Sequence, residues 1–132
     1  MRRWVRAALP TAQANAELSI RIVDEAEGRA LNARYRRQRH PTNVLSFRAE
    51  LPRELDIPFI GDIVVCAPVV EREAREQGKP PRAHWAHMLV HGTLHLLGFD
   101  HQRPREARRM EATERAILAT LNIPDPYFEP HP

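Results

Sequence analysis

Residues 91–101 read His91-Gly92-Thr93-Leu94-His95-Leu96-Leu97-Gly98-Phe99-Asp100-His101, and this stretch restricts the fold more than any other in the chain. Its histidine spacing, H-x-x-x-H-x-x-G-x-x-H, brings three imidazoles to one ion only if the chain is helical through the first two and then reverses. Residues four apart lie one above the other on a helix face, so His91 and His95 share a face. Gly98 offers the left-handed conformation that ends a helix cheaply. A chain turned back there returns His101 as a third ligand. Three protein ligands leave a fourth tetrahedral position for water or substrate, which separates catalytic zinc from structural zinc. The stretch therefore predicts a site for zinc or a similar divalent ion on His91, His95 and His101.

The same helix also carries His84 and His87. His87 and His95 are eight residues apart, about 12 Å along a helix axis. Nitrogens sharing a zinc at about 2.0–2.1 Å each lie much closer than that. His101 is thus the better third ligand, and His84 and His87 are expected to be surface or packing residues. One class of zinc proteases shares the spacing as H-E-x-x-H-x-x-G-x-x-H, where the glutamate is the general base. Here that position is Gly92, which cannot take a proton, so peptide hydrolysis by that route is disfavoured. Asp100 is the carboxylate nearest the ligands in sequence. It is a candidate for orienting a metal-bound histidine through a hydrogen bond, with a plain turn residue as the alternative.

A length of 132 residues suits one domain with a real core. The 42% hydrophobic and 28% charged fractions are those of an ordinary globular protein. The longest apolar run, Ile63 to Val70, is too short to span a bilayer. Arg6 interrupts the apolar stretch near the N-terminus, which argues against a signal peptide and for a cytoplasmic chain. Cys66 is the single cysteine, so no internal disulfide is available and a reducing compartment fits. Its apolar neighbours predict a buried, inert thiol. Of the 20 basic residues only Lys79 is a lysine. Arginine's planar fork suits phosphates and bases, but an arginine-preferring genome gives the same composition.

Taken in order, Trp4, Val5, Ala8, Leu9 and Ala12 give a helical stripe from residue 3 to about 15, weakened by Pro10. Glu17 to Asp24 alternates as a half-buried strand. Asp24 caps a helix running to about Arg37. His40 to Asn43 is a turn, Val44 to Phe47 a strand, and Leu51 to Pro58 a loop. Ile60 to Cys66 is a strand buried on both faces. Pro68 opens a helix that stops at Gly78, and the histidine helix follows over roughly residues 82–97. A last helix covers about Pro104 to Leu121, with Ala107, Met110, Ile117 and Leu121 on one face. Residues 122–132, with four prolines, read as an irregular tail. The order predicts a single α+β domain over 1–132, a small mixed sheet packed against several helices.

A metal that makes hydroxide near neutral pH needs no strong protein base, and arginine suits the charge that develops on a phosphodiester. The densest basic stretch is Arg34-Tyr35-Arg36-Arg37-Gln38-Arg39-His40. On its own it would be a solvated face near a helix C-terminus, where the dipole favours cations. Beside a metal site that lacks a protease base, it points to nucleic acid.

The 91–101 stretch resembles the signature of the YbeY family of bacterial endoribonucleases. Leu31-Asn32, Tyr35-Arg36 and Pro41-Thr42-Asn43-Val44-Leu45-Ser46-Phe47 are similar to a second block of that family, and Gly61-Asp62-Ile63 to a third. The likeness runs from about Trp4 to Tyr127 in unbroken order. It implies one zinc on His91, His95 and His101 and a functional arginine at Arg36, with Arg34, Arg37 and Arg39 as candidates for following the RNA backbone. It also implies cleavage of single-stranded RNA in maturation of small-subunit (16S) rRNA, notably its 3′ end, and in ribosome quality control. The implied partners are ribosomal RNA, small-subunit components and a ribosome-associated GTPase, with no membrane. Family members usually begin with a further strand, whereas this chain starts near the first helix. Either Met1 is not the natural start or the sheet is one strand smaller, with an unpaired edge as the consequence. Two other classes remain: a zinc hydrolase of peptides or small substrates, and a non-catalytic ribosome assembly factor with structural zinc.

Overall fold

The structure is a computed structural model that describes residues 1–36, 42–52, 54, 58–100 and 102–128, with the backbone alone at 35 and 36. The expected turn at His40 and loop before Pro58 lie partly outside the described residues. Five α-helices and three strands occur among the described residues, in the order α1 (Arg2–Ala8), β1 (Glu17–Val23), α2 (Glu25–Arg36), β2 (Val44–Arg48), β3 (Phe59–Cys66), α3 (Ala67–Glu76), α4 (Pro81–Leu96) and α5 (Pro104–Thr120).

Local chemistry sets most of these boundaries. The Asp24 carboxylate accepts from the Glu27 amide at 2.8 Å, a side-chain cap that starts α2. Proline occupies the first turn of α3, α4 and α5, where its missing donor is not needed. Helix α1 is shorter than its apolar stripe suggests. It stops at Ala8 because Pro10 cannot continue it, and a single 3-10 turn, Thr11–Gln13, follows.

The sheet order is β1-β3-β2. Strand β3 lies between a parallel β1 and an antiparallel β2. Its alternation divides the core: Ile63 and Val65 face one cluster with Leu89 and Leu96 of α4, while Val64 and Cys66 face another with Val23, Leu45 and Val69. The central strand is thus buried on both faces, as its β-branched run predicts. Burial raises the Cys66 thiol above its ordinary pKa, as expected for an inert cysteine.

Helix α4 is the axis of the molecule and touches α1, α3, α5, β2 and β3. One side packs on the sheet. The other forms a third cluster in which Ala86, Val90 and Leu94 meet Ala8 of α1 and Met110 and Leu118 of α5. A helix covered over most of its surface keeps few side chains in water, so His84 and His87 lie in the interior with their polar atoms needing partners.

Candidate metal centre

The end of α4 is shaped by Gly98, whose φ is +102°. The Gly98 amide donates to the His95 carbonyl at 3.0 Å and the Phe99 amide to the Leu94 carbonyl at 3.0 Å. These are the two bonds of a Schellman turn. The turn brings the Phe99 carbonyl back to His95, 3.0 Å from Nδ1. A carbonyl only accepts, so the proton of that pair sits on His95 Nδ1 and the lone pair on Nε2. His91 is oriented in the same sense, with Nδ1 3.2 Å from Glu114 Oε1.

Both Nε2 lone pairs therefore point into one space. They are 3.1 Å apart, with ring centroids at 4.6 Å. Two nitrogens at tetrahedral angles on one zinc would be about 3.3–3.4 Å apart. Converging acceptors repel unless a cation lies between them, so this donor set fits a metal ion. His91 and His95 line a cleft of about 540 Å³ with Asn32, Ser46, Arg48 and Asp100 among its other walls.

Gly92 lies beside the two histidines on α4, where the helix meets the sheet. A Cβ there would stand 3.1 Å from Ile63 Cγ2 and 3.2 Å from Ser46 Oγ. The Ser46 hydroxyl donates to the Gly92 carbonyl at 2.9 Å. The place where the protease pattern carries glutamate is thus closed by packing.

Asp100 lines the cleft and its Oδ1 accepts from the Gln102 amide at 3.2 Å. Arg34 is exposed on α2, and Arg36 is the last residue of that helix. The Arg36 side chain, Arg37, Arg39 and His101 lie outside the described residues. His84 and His87 are buried, and each is engaged: His84 Nε2 is 2.9 Å from Glu73 Oε1, and His87 Nε2 pairs with Glu114 Oε2. Burial lowers the His84 pKa, although the bond from Glu73 opposes it. One ligand atom each from His87, His91 and Glu114 lies within 4.8 Å of the others, a group that could also hold an ion.

Two residues of the site went unnoticed in the sequence. Arg48, at the end of β2, is exposed on the cleft wall. Glu114 is 1% exposed. Burial would raise its pKa, but hydrogen bonds with His87 and His91 outweigh that and hold it at about 2. It was visible in principle, because a carboxylate at position 114 breaks the Met110-to-Leu118 face of α5.

The family model described as endoribonuclease YbeY matches residues 1–122. The endoribonuclease YbeY of Pseudomonas entomophila is 60% identical over 129 residues, covering 97% of this chain and 82% of that protein. The endoribonuclease YbeY of Alkalilimnicola ehrlichii is 60% identical over 130 residues, covering 96% and 78%. A solution structure of a Thermotoga maritima protein is similar in fold, with a TM-score of 0.53 at 24% identity over 96% of this chain and 85% of that one. Among the described residues no helix is long and apolar enough to cross a membrane.

Proposed function

The chain belongs to the YbeY family of endoribonucleases, and on that premise we propose that it cuts single-stranded RNA with a zinc ion bound at the end of α4. Its substrate is ribosomal RNA, at the 3′ end of the 16S molecule, and it serves rRNA maturation and ribosome quality control in the cytoplasm. Small-subunit components and a ribosome-associated GTPase are its partners. The observation that carries the reading is the convergence of His91 Nε2 and His95 Nε2, 3.1 Å apart, on the wall of a polar cleft.

His91, His95 and His101 hold the ion. When bound, it supplies Lewis acidity, polarising a phosphoryl oxygen and making water a stronger acid. Arg36 binds the scissile phosphate and offsets the charge of the transition state. Arg34, Arg37 and Arg39 follow the RNA backbone, joined by Arg48 on the cleft wall, so affinity falls as salt rises. Asp100 orients a metal-bound histidine. Peptide hydrolysis is not favoured, because Gly92 stands where that chemistry carries its glutamate and offers no proton acceptor.

The test incubates the zinc-loaded protein, His95→Ala and Arg36→Ala with single-stranded RNA and with casein. The expected result is RNA cleavage by the parent alone, intact casein, and zinc retained by Arg36→Ala. Casein cleavage would support a peptide hydrolase instead. Inactivity on both substrates would point to an assembly factor, and an Arg36→Ala variant with unchanged cleavage and RNA affinity would remove Arg36 from its role.

A further inference from the structure

Glu114 stands where a carboxylate is expensive. It is 1% exposed on the inner face of α5, and among the described residues its side chain bonds to two histidines and a phenol, with no lysine or arginine. Burial alone disfavours the charged form, but the hydrogen bonds with His87 and His91 outweigh it and keep the carboxylate ionised.

Its two oxygens have separate tasks. Oε2 is taken up by His87 Nε2 and by the Tyr127 hydroxyl, which donates to it at 3.0 Å. Oε1 faces His91 Nδ1 at 3.2 Å. His87 lies one turn before His91 on α4. Tyr127 comes from the segment after α5, and its ring meets the His87 imidazole edge to face at 5.4 Å. That segment is itself anchored: Lys79 Nζ donates to the Pro126 carbonyl at 2.9 Å, and the Tyr127 amide donates to Asp125 Oδ1 at 2.8 Å. The Arg115 guanidinium covers the Tyr127 ring at 5.2 Å.

The geometry points to Glu114 as a positioning residue for the metal ion, clamped from behind by His87 and Tyr127. With Oε2 fixed by two donors, Oε1 holds the His91 proton on Nδ1 and so keeps the Nε2 lone pair aimed at the space shared with His95. A carboxylate on the far side of a ligating imidazole also raises the ring's basicity and strengthens the metal bond. In return, a divalent ion across the ring would add favourable charge opposite the buried carboxylate. The segment around Tyr127 is therefore part of the metal site although it gives no ligand to it.

The inference rests on the ion lying between His91 and His95. The rival arrangement places it among His87, His91 and Glu114, whose ligand atoms lie within 4.8 Å. An ion there would take over the very atoms that the hydrogen bonds use. It would also do nothing for the two converging Nε2 lone pairs, so the hydrogen-bonded arrangement is preferred.

Zinc affinity, measured by chelator competition without RNA, separates the two. Glu114→Gln is expected to weaken zinc binding about 10–100-fold, the usual loss when such a supporting partner is removed. Tyr127→Phe is expected to weaken it in the same direction by less. Imidazole 15N spectra of the zinc-bound parent should show His91 protonated at Nδ1 and bound through Nε2, a signature that a merely structural carboxylate would not set. In Glu114→Gln that Nδ1 proton should exchange faster with solvent. A folded Glu114→Gln variant with parental zinc affinity would overturn the inference. So would retention of zinc by His95→Ala together with its loss from His87→Ala. RNA cleavage by the parent stands or falls independently of these outcomes, because the assay contains no RNA.

Discussion

At position 92 a protease with this histidine spacing carries its general base, and in this chain the same position is where helix meets sheet. Gly92→Glu would complete the protease pattern. It would also push a charged side chain into Ile63, Val44 and Ser46, which stand 3.1–3.3 Å from the first added carbon. Overpacking and an unpaired buried charge together predict a loss of more than about 2 kcal/mol in urea unfolding, with no gain of casein cleavage. A stable variant that cuts casein would show that packing at Gly92 is not what bars that chemistry. The convergence of His91 and His95 was legible because they are close in sequence, and the i, i+4 pair behaves as helix geometry requires. Glu114 and Tyr127 were not, since their roles arise only when α5 and the following segment fold back over α4. The lone trace of them was a carboxylate on an otherwise apolar helix face.

Between Leu94 and Phe99 the chain ends a helix and orients the His95 ring with the same turn. A Cβ at Gly98 would meet nothing within 4 Å, so the cost of Gly98→Ala is conformational, set by a φ of +102°. We expect a loss of about 1–2 kcal/mol in stability. Zinc affinity should fall as well, because the Phe99 carbonyl would leave His95 Nδ1. Calorimetry and zinc titration read these separately, and unchanged affinity in the destabilised variant would mean that the turn does not orient His95. Element boundaries were well marked by the Asp24 cap, Gly78 and the prolines that open α3, α4 and α5. The misread element was α1, where the apolar stripe continued past Pro10 but the backbone did not. The burial of α4 was not readable from a stripe, because its apolar and histidine residues surround the helix. Only the arrangement of the sheet, α1, α3 and α5 explains why His84 and His87 are interior.

Across the whole molecule, strands β2 and β3 and the helices α1, α3 and α5 hold α4 so that its C-terminal end opens on the polar cleft. Helix α4 and its closing turn fix two imidazoles, and β2 adds Ser46 and Arg48 to the cleft lining. This division suits a site whose metal stays in place while a flexible polyanion is drawn across it. Everything proposed for the site requires the ion to sit between His91 and His95, and anomalous diffraction at the zinc edge from zinc-loaded crystals locates it. One peak per chain is expected, about 2.0–2.1 Å from Nε2 of both His91 and His95, with Glu114 on the far side of the His91 ring and outside bonding distance. A peak bonded to Glu114 and His87, or none near His95, would contradict it.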